Sequence, residues 1–339
     1  MKHLITLIPG DGIGPEISQA MMEVIKATEL PITWEITPAG LSTLESEGSL
    51  IPQTVFDSIE RNRIALKGPL ATPIGKGHRS LNVLLRKKYD LYACVRPVRS
   101  IANISPKFPG VDLVIFRENT EDLYMGLEEI ISEDEAHSIK VITRSASTRI
   151  AKAAYEYAVK ENRKKVTIVT KANIMKASDG LFLESCRAVA ALYPMIITDE
   201  ILIDNMCLQL VVDPTRTDII LTENLYGDIL SDLCAGLVGG LGFVPGANLG
   251  SDFALFESVH GTAPDIAGLG IANPTAMILT SAMMIRHLGY EKEASWIEEA
   301  IQTVYSDPNN YTKDLKGPLN TVEITSKIIK AYLALKGVS

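Results

Sequence analysis

A chain of 339 residues with 46% hydrophobic composition can bury a sizeable core, and it is longer than the roughly 100–200 residues of one domain, so two domains are expected. Its 33 basic and 41 acidic residues leave a net charge of −8. That balance excludes an electrostatic pull toward nucleic acid or an anionic membrane and falls short of the charge excess of a disordered chain. Cys94, Cys186, Cys207 and Cys234 form no C-x-x-C pair, so neither a zinc site nor a disulfide framework is expected. Scattered thiols suit a reducing surrounding. The first apolar run, residues 4–8, stops at Pro9 and is too short for the core of a signal sequence. Residues 275–285 make about half of a ~20-residue membrane span. A soluble, cytoplasmic protein is expected.

In chain order, residues 4–8 read as a buried strand. Pro15 then suits the first turn of a helix whose apolar face is Ile17, Met21, Val24 and Ala27. Further strands are predicted at 113–116, 166–170 and 218–222. Helices are predicted at 147–160, 225–237 and 275–287. A last helix begins at Asn320, with Glu323 placed to complete a capping box. The acidic stretch 128–135 reads as a solvated excursion that forms a hairpin with 138–143. Alternating strands and helices indicate an α/β protein with a largely parallel sheet.

Gly10-Asp11-Gly12-Ile13-Gly14 follows a strand and opens a helix, which invites a Rossmann reading. The fingerprint G-x-G-x-x-G fails because position 15 is Pro, so a tight glycine-rich turn is expected instead. Ser80, Asn82 and Arg86 lie at the start of a predicted helix, with Arg96 and Arg117 beyond it. An arginine offers a planar fork of donors that matches a carboxylate, and a tricarboxylate would need several. Each of these arginines alone could equally be solvated surface. Asp228 and Asp232 are spaced i, i+4 on one helix face. Their repulsion would be relieved by a divalent cation, with Asp204 a third candidate ligand. A water-facing helix would show the same spacing. Lys171 ends a predicted strand, where α/β sites commonly form, and is a candidate base. Tyr124 is a candidate proton donor or a half-buried tyrosine.

Together these segments resemble the β-decarboxylating dehydrogenases, the family of isocitrate and isopropylmalate dehydrogenases. The resemblance runs from Pro9-Gly10-Asp11-Gly12-Ile13-Gly14-Pro15-Glu16 to about His287-Leu288-Gly289. Its most specific motifs are Arg117-Glu118-Asn119, Asn224-Leu225-Tyr226-Gly227-Asp228 with Asp232, and His260-Gly261-Thr262-Ala263-Pro264-Asp265.

The resemblance implies an isocitrate/isopropylmalate dehydrogenase-like α/β fold that is not a Rossmann fold. A large, cofactor-binding domain would comprise residues 1–91 and 239–339. A smaller α/β domain would span 92–238, with a dimer clasp around 125–145. It implies that Ser80, Asn82, Arg86, Arg96 and Arg117 hold the substrate. Asp228 and Asp232 would bind Mg²⁺ or Mn²⁺ with Asp204 of a second chain. Lys171, also from that chain, would act as base, and Tyr124 would protonate the enolate. Thr72, His260, Gly261, Thr262, Ala263, Asp265, Ile266 and Asn273 would bind the cofactor. NAD is expected because Asp265-Ile266 stands where NADP-using members resemble Lys-Tyr. Ser80-Leu81-Asn82-Val83 resembles the isocitrate members, so the implied reaction is oxidation of isocitrate to oxalosuccinate held on the metal, then loss of CO₂ to give 2-oxoglutarate. Homoisocitrate, tartrate and isopropylmalate are the rival substrates. A non-catalytic regulatory subunit is the rival reading from another class, and such subunits tend to lose the base, the tyrosine or a metal ligand. A homodimer with shared active sites is implied. The acidic excursion after Tyr124 is shorter than in many bacterial members, which leaves the clasp and any higher oligomer open.

Overall fold

The computed structural model describes residues 2–71, 80–101, 103–104 and 107–338. The first half of the chain supplies β1 (His3–Ile8), α1 (Gly14–Thr28), β2 (Ile32–Ile36), α2 (Leu41–Glu47), α3 (Gln53–Asn62), β3 (Ile64–Lys67), α4 (Leu81–Lys88), β4 (Ala93–Arg99), β5 (Asp112–Glu118), β6 (Glu128–Ile130), β7 (Ala136–Ser138) and α5 (Arg144–Lys160). The second half supplies β8 (Lys165–Thr170), α6 (Ser178–Ala190), β9 (Ile197–Leu202), α7 (Ile203–Val212), β10 (Ile219–Thr222), α8 (Asn224–Leu237), β11 (Pro245–Leu249), β12 (Ala254–Ser258), α9 (Thr275–His287), α10 (Glu291–Tyr305) and α11 (Thr321–Val338).

Ten strands form one sheet in the order β2-β1-β3-β12-β11-β4-β5-β10-β8-β9. β2, β1, β3 and β12 are mutually parallel, as are β5, β10, β8 and β9. β11 runs antiparallel to both β12 and β4, and β4 runs antiparallel to β5. The two parallel halves therefore point in opposite directions and meet at an antiparallel step. The apolar strand runs follow from burial on both faces, as in other helix-covered parallel sheets. One core gathers β1, α1 and α9 to α11 around Ile17, Met277, Ile297 and Tyr332. Two more lie on opposite faces of the β5, β10, β8 half, one under α5 and α6 and one under α7 and α8.

The predicted elements fall close to the observed ones. Residues 4–8, 113–116, 166–170 and 218–222 lie in or against β1, β5, β8 and β10, and α9 matches its expected bounds. Asn320 and Glu323 make the reciprocal capping bonds, with the Asn320 amide donating to Glu323 Oε2 and the Glu323 amide donating to Asn320 Oδ1, each at 2.9 Å. The hairpin after Tyr124 forms between β6 and β7, so its return strand is 136–138 rather than 138–143. The glycine-rich turn is a packing device. Gly10 and Gly12 have φ of +82° and +59°, and a Cβ on them would lie 2.2 Å from the Pro69 carbonyl and 1.9 Å from that of Thr262. Only glycine lets the turn pass so close to both loops.

Candidate active site

Glu257, Asn248, Arg96 and Arg117 sit on β12, β11, β4 and β5, the four strands of the antiparallel step. Arg117 is almost fully buried. Its Nε and Nη2 donate to Asn224 Oδ1 at 2.9 and 2.7 Å, and Nη1 pairs with Asp228 Oδ1. The Tyr124 hydroxyl donates to the other Asp228 oxygen at 2.5 Å. Arg96 Nη1 donates to Ser231 at 3.1 Å, one residue before Asp232 on α8. α8 begins at Asn224, so its first three turns present Asn224, Asp228, Ser231 and Asp232 to these arginines. Burial alone would raise the Asp228 carboxyl, but the Arg117 guanidinium and the Tyr124 hydroxyl outweigh it, and its pKa falls. Asp232 has its pKa raised by burial, with Arg96 opposing and the Asp228 charge adding. Burial, then the bond to Asp228, also raises the Tyr124 phenol.

Arg86, on α4, donates from Nη2 to Glu257 Oε1 at 3.2 Å. Glu257 also pairs with Lys67 at 2.9 Å and accepts from Asn248 at 2.8 Å. Burial pushes this carboxyl up, yet Lys67 and Arg86 hold it well below the usual carboxylate range. Among the described residues, Arg86 Nε, Asn82 Oδ1 and His260 Nε2 are buried polar atoms without a hydrogen-bond partner. Buried groups without partners are rare. Arg86 bonds Glu257 and the Lys67 charge acts on His260, so the atoms of these two residues flank one group of charges and suit a polar ligand. Ser80 occupies the position before α4, but its hydroxyl makes no capping bond.

Lys171 and Asp204 lie elsewhere in the chain. Lys171 follows β8, and its Nζ is 2.6 Å from Asp204 Oδ1 near the start of exposed α7. That hydrogen bond is the largest influence lowering the Asp204 pKa. Among the described residues neither bonds to Arg117, Tyr124, Asp228 or Asp232, and no three acidic, His or Cys side chains form a group able to hold a metal ion. One chain thus carries two of the three expected aspartates together and the third apart.

The cofactor candidates cluster between β12 and α9, apart from Thr72, which lies outside the described residues. His260 Nδ1 is 3.0 Å from the Gly261 carbonyl, and burial lowers its pKa. The Thr262 carbonyl accepts from Ile13 at 2.9 Å, and Ala263 adopts φ +38°. The Ile266 amide closes the loop onto the Ala263 carbonyl at 3.2 Å, and Asp265 is exposed. Asn273 is turned inward, donating to Asp314 at 3.0 Å and accepting from Thr275 and Tyr305.

Sequence reasoning missed Lys67, Glu257, Asn224, Asn248 and Ser231. Lys67 and Glu257 each end or nearly end an otherwise apolar strand, which is a readable signal. The amide and hydroxyl partners had none.

A family model described as isocitrate/isopropylmalate dehydrogenase matches residues 4–331. The chain belongs to this family. It is 51% identical over 327 residues to a mitochondrial regulatory subunit of the NAD isocitrate dehydrogenase of Dictyostelium discoideum, covering 96% of this chain and 91% of that one. It is 49% identical over 329 residues to the mitochondrial alpha subunit of the human NAD isocitrate dehydrogenase, covering 96% and 89%. A crystal structure of isocitrate dehydrogenase from Methylococcus capsulatus superposes with a TM-score of 0.93 at 50% identity, covering 97% and 99%. The chain therefore has the isocitrate/isopropylmalate dehydrogenase fold and is an enzyme-family member similar to NAD-dependent isocitrate dehydrogenase subunits. The expectation of a cytoplasmic protein is overturned, because the Dictyostelium and human relatives are mitochondrial. Free thiols report a reducing surrounding and do not say which compartment supplies it. Among the described residues no helix is long and apolar enough to cross a membrane.

Proposed function

We propose that this chain oxidises isocitrate with NAD and releases CO₂ to give 2-oxoglutarate, at a site completed by a second chain. The observation that carries this reading is the joint grip of Arg117 and Tyr124 on Asp228, with Arg96 bonded to Ser231 one turn further along α8. It combines fixed cations for a polycarboxylate, an ionised ligand for a hard cation and a phenol within proton-transfer reach. Arg86, Arg96 and Arg117 bind and orient the substrate carboxylates. Ser80 and Asn82 supply polar contacts where an isopropyl group would find none, so isocitrate is favoured over isopropylmalate. Asp228 and Asp232, with Asp204 of the second chain, suit Mg²⁺ or Mn²⁺, since carboxylates are the donors such ions take. When bound, the metal supplies a Lewis acid for the oxygen at the reacting carbon. Lys171 of the second chain would remove the hydroxyl proton, and NAD, when bound, would supply the hydride acceptor. Tyr124 returns a proton to the carbon left by CO₂. His260, Gly261, Thr262, Ala263, Asp265, Ile266 and Asn273, with Thr72, make the NAD site, and the unpaired His260 Nε2 is a ready donor or acceptor there.

The large domain, 1–91 plus 239–339, then faces the small domain, 92–238, across the antiparallel step. The cores support this division, with β1, α1 and α9 to α11 sharing one and α5 to α8 covering the others. A dimer is supported by an apolar surface beside Asp204, where Leu208 and Val212 of α7 are 61% and 71% exposed. The partner is a second copy or a related subunit, since the curated relatives are named as subunits.

A regulatory role is the second reading, raised by the Dictyostelium relative's name. Lys171, Tyr124, Asp204, Asp228 and Asp232 are all present, which favours catalysis. The test is steady-state NADH formation by the purified chain with isocitrate, homoisocitrate, isopropylmalate and tartrate, with Mg²⁺, Mn²⁺ or excess chelator. Metal-dependent turnover fastest on isocitrate is expected. No turnover on any of the four would favour the regulatory reading, and full turnover in chelator would remove the metal.

A further inference from the structure

Lys140 has no part in the reaction proposed above, yet its ammonium is surrounded by buried charge. It follows β7 at the end of the hairpin, and its side chain is only 12% exposed. Its ammonium lies 2.5 Å from Asp179 Oδ1, 2.6 Å from Glu223 Oε2 and 3.9 Å from Asp122 Oδ1, and 4.6 Å over the Tyr226 ring. All three carboxylates are essentially buried. One ammonium facing three buried acidic side chains is a costly arrangement, because burial penalises their charged forms and like charges among them repel strongly at low dielectric, and the Glu223 carboxyl is pushed up accordingly. A hydrophobic core would hold the same elements without that penalty.

What the three carboxylates hold is informative. Asp179 Oδ2 accepts from the Lys171 amide at 2.7 Å and from the Tyr226 hydroxyl at 3.2 Å. Asp122 opens the short 3-10 turn that carries Tyr124, and its Oδ2 accepts from the Leu225 amide at 2.8 Å. Glu223 is the residue before α8, which carries Asp228 and Asp232. Lys140 therefore joins the backbone of Lys171 to the backbones that present Tyr124 and Asp228. In the shared-site reading, Lys171 serves one active site of the dimer, and Tyr124 and Asp228 serve the other.

We propose that Lys140 is a positioning residue that ties together the two half-sites of each chain, so that one residue supports both active sites of the dimer. The proposal rests on the shared-site reading. Holding both segments in one arrangement through a single ammonium takes a contiguous packed polar network, and the contacts above form one.

The test uses mixed dimers of separately tagged chains, one wild type and one altered at position 140. Two altered chains are used. Lys140→Arg keeps a buried cation, so it keeps the fold while changing the geometry. Lys140→Met with Glu223→Gln removes the ammonium together with the acid 2.6 Å from it. If Lys140 supports both half-sites, every site in the mixed dimer carries one weakened half. Where the altered homodimer keeps about a hundredth of wild-type activity, additive effects split equally between the half-sites leave the mixed dimer about a tenth. If Lys140 supports only one half-site, or is only a structural brace for its own side, one site stays intact and the mixed dimer keeps about half. A second readout does not depend on turnover. Hydrogen exchange at the Lys171 and Leu225 amides should accelerate together in the Lys140→Arg protein, and acceleration at one alone overturns the proposal. A mixed dimer of Lys171→Met and wild type, measured beside these, should keep about half its activity by the same count. Mixing Lys171→Met with Asp228→Asn checks the shared site separately. Recovery there with half activity in the position-140 dimers refutes the proposal and leaves the shared site standing.

Discussion

Gly227 offers the sharpest local test of the site. It lies in the first turns of α8, one residue before Asp228. A Cβ placed on it would meet Arg117 Cγ at 2.5 Å, Cβ at 2.6 Å and Cδ at 2.9 Å. Arg117 cannot swing aside freely, because it is buried and its guanidinium is tied to Asn224 and Asp228. In Gly227→Ala the arginine shaft must shift by several tenths of an ångström or more, and the guanidinium moves with it. Two opposing effects set the stability. Ala in place of a mid-helix Gly gains about 1 kcal/mol in helix propensity. Overpacking a filled site costs about 1–3 kcal/mol. The net change is a loss of about 0–2 kcal/mol, so the protein stays folded. Activity responds far more, since misplacing a substrate-orienting group by about 1 Å can cost ~10²-fold. Gly236→Ala is the matched control. It lies in the same helix, and its added Cβ would meet nothing within 4 Å. It should gain stability and keep kcat/KM. The assay is NADH formation from isocitrate, paired with thermal unfolding. A Gly227→Ala enzyme with wild-type kcat/KM and a raised Tm would refute the placement of Arg117 against α8 and its role in binding.

Glu223 should make stability fall with pH. Burial raises its carboxyl to about 8, against the opposing charge of Lys140 and with help from Asp179 and Asp122. A folded-state pKa above the unfolded value means that the folded chain keeps a proton the unfolded chain has lost. That stabilisation is whole below about 4.5 and is lost as pH rises through about 8. Glu223→Gln keeps the shape without the titration, so its urea midpoint should fall less than wild type's across this window; parallel pH profiles would show that Glu223 is ionised throughout. In the proposed NAD site, cofactor choice should rest on Asp265, which would repel a 2′-phosphate and would accept a bond from a free 2′-hydroxyl. Asp265→Lys with Ile266→Tyr should therefore weaken the preference for NAD in kcat/KM, and equal use of NADP by the unaltered enzyme would refute that assignment.

The α/β alternation was legible because its strands are short apolar runs and its helices carry one-sided apolar stripes. The capping box at Asn320 and Glu323 was legible for the same local reason: both partners lie within one turn. The placement of β11 and β4 between the two parallel halves was not, since it depends on pairings such as Ala247 with Val95, more than a hundred positions apart. The same division holds at the site. Asp228 and Asp232 could be paired from their spacing, whereas nothing in sequence near Arg117 names Asn224 as its main partner, 107 residues away. The hairpin register slipped because residues 128–138 are exposed on both faces, Ile130 and Ile131 included, and a strand with no buried face has little to fix its pairing.

We propose that each active site draws Lys171 and Asp204 from one chain and Arg117, Tyr124, Asp228 and Asp232 from another. Lys171→Met and Asp228→Asn chains, each inactive as a homodimer, are co-expressed with different tags and purified as mixed dimers. One mixed site then collects both lesions, and the other collects none. Isocitrate-dependent NADH formation should return to about half of wild type per dimer by this symmetry count. If instead a single chain builds the whole site, every site in the mixed dimer carries one lesion, and the mixed dimers will be as inactive as their parents.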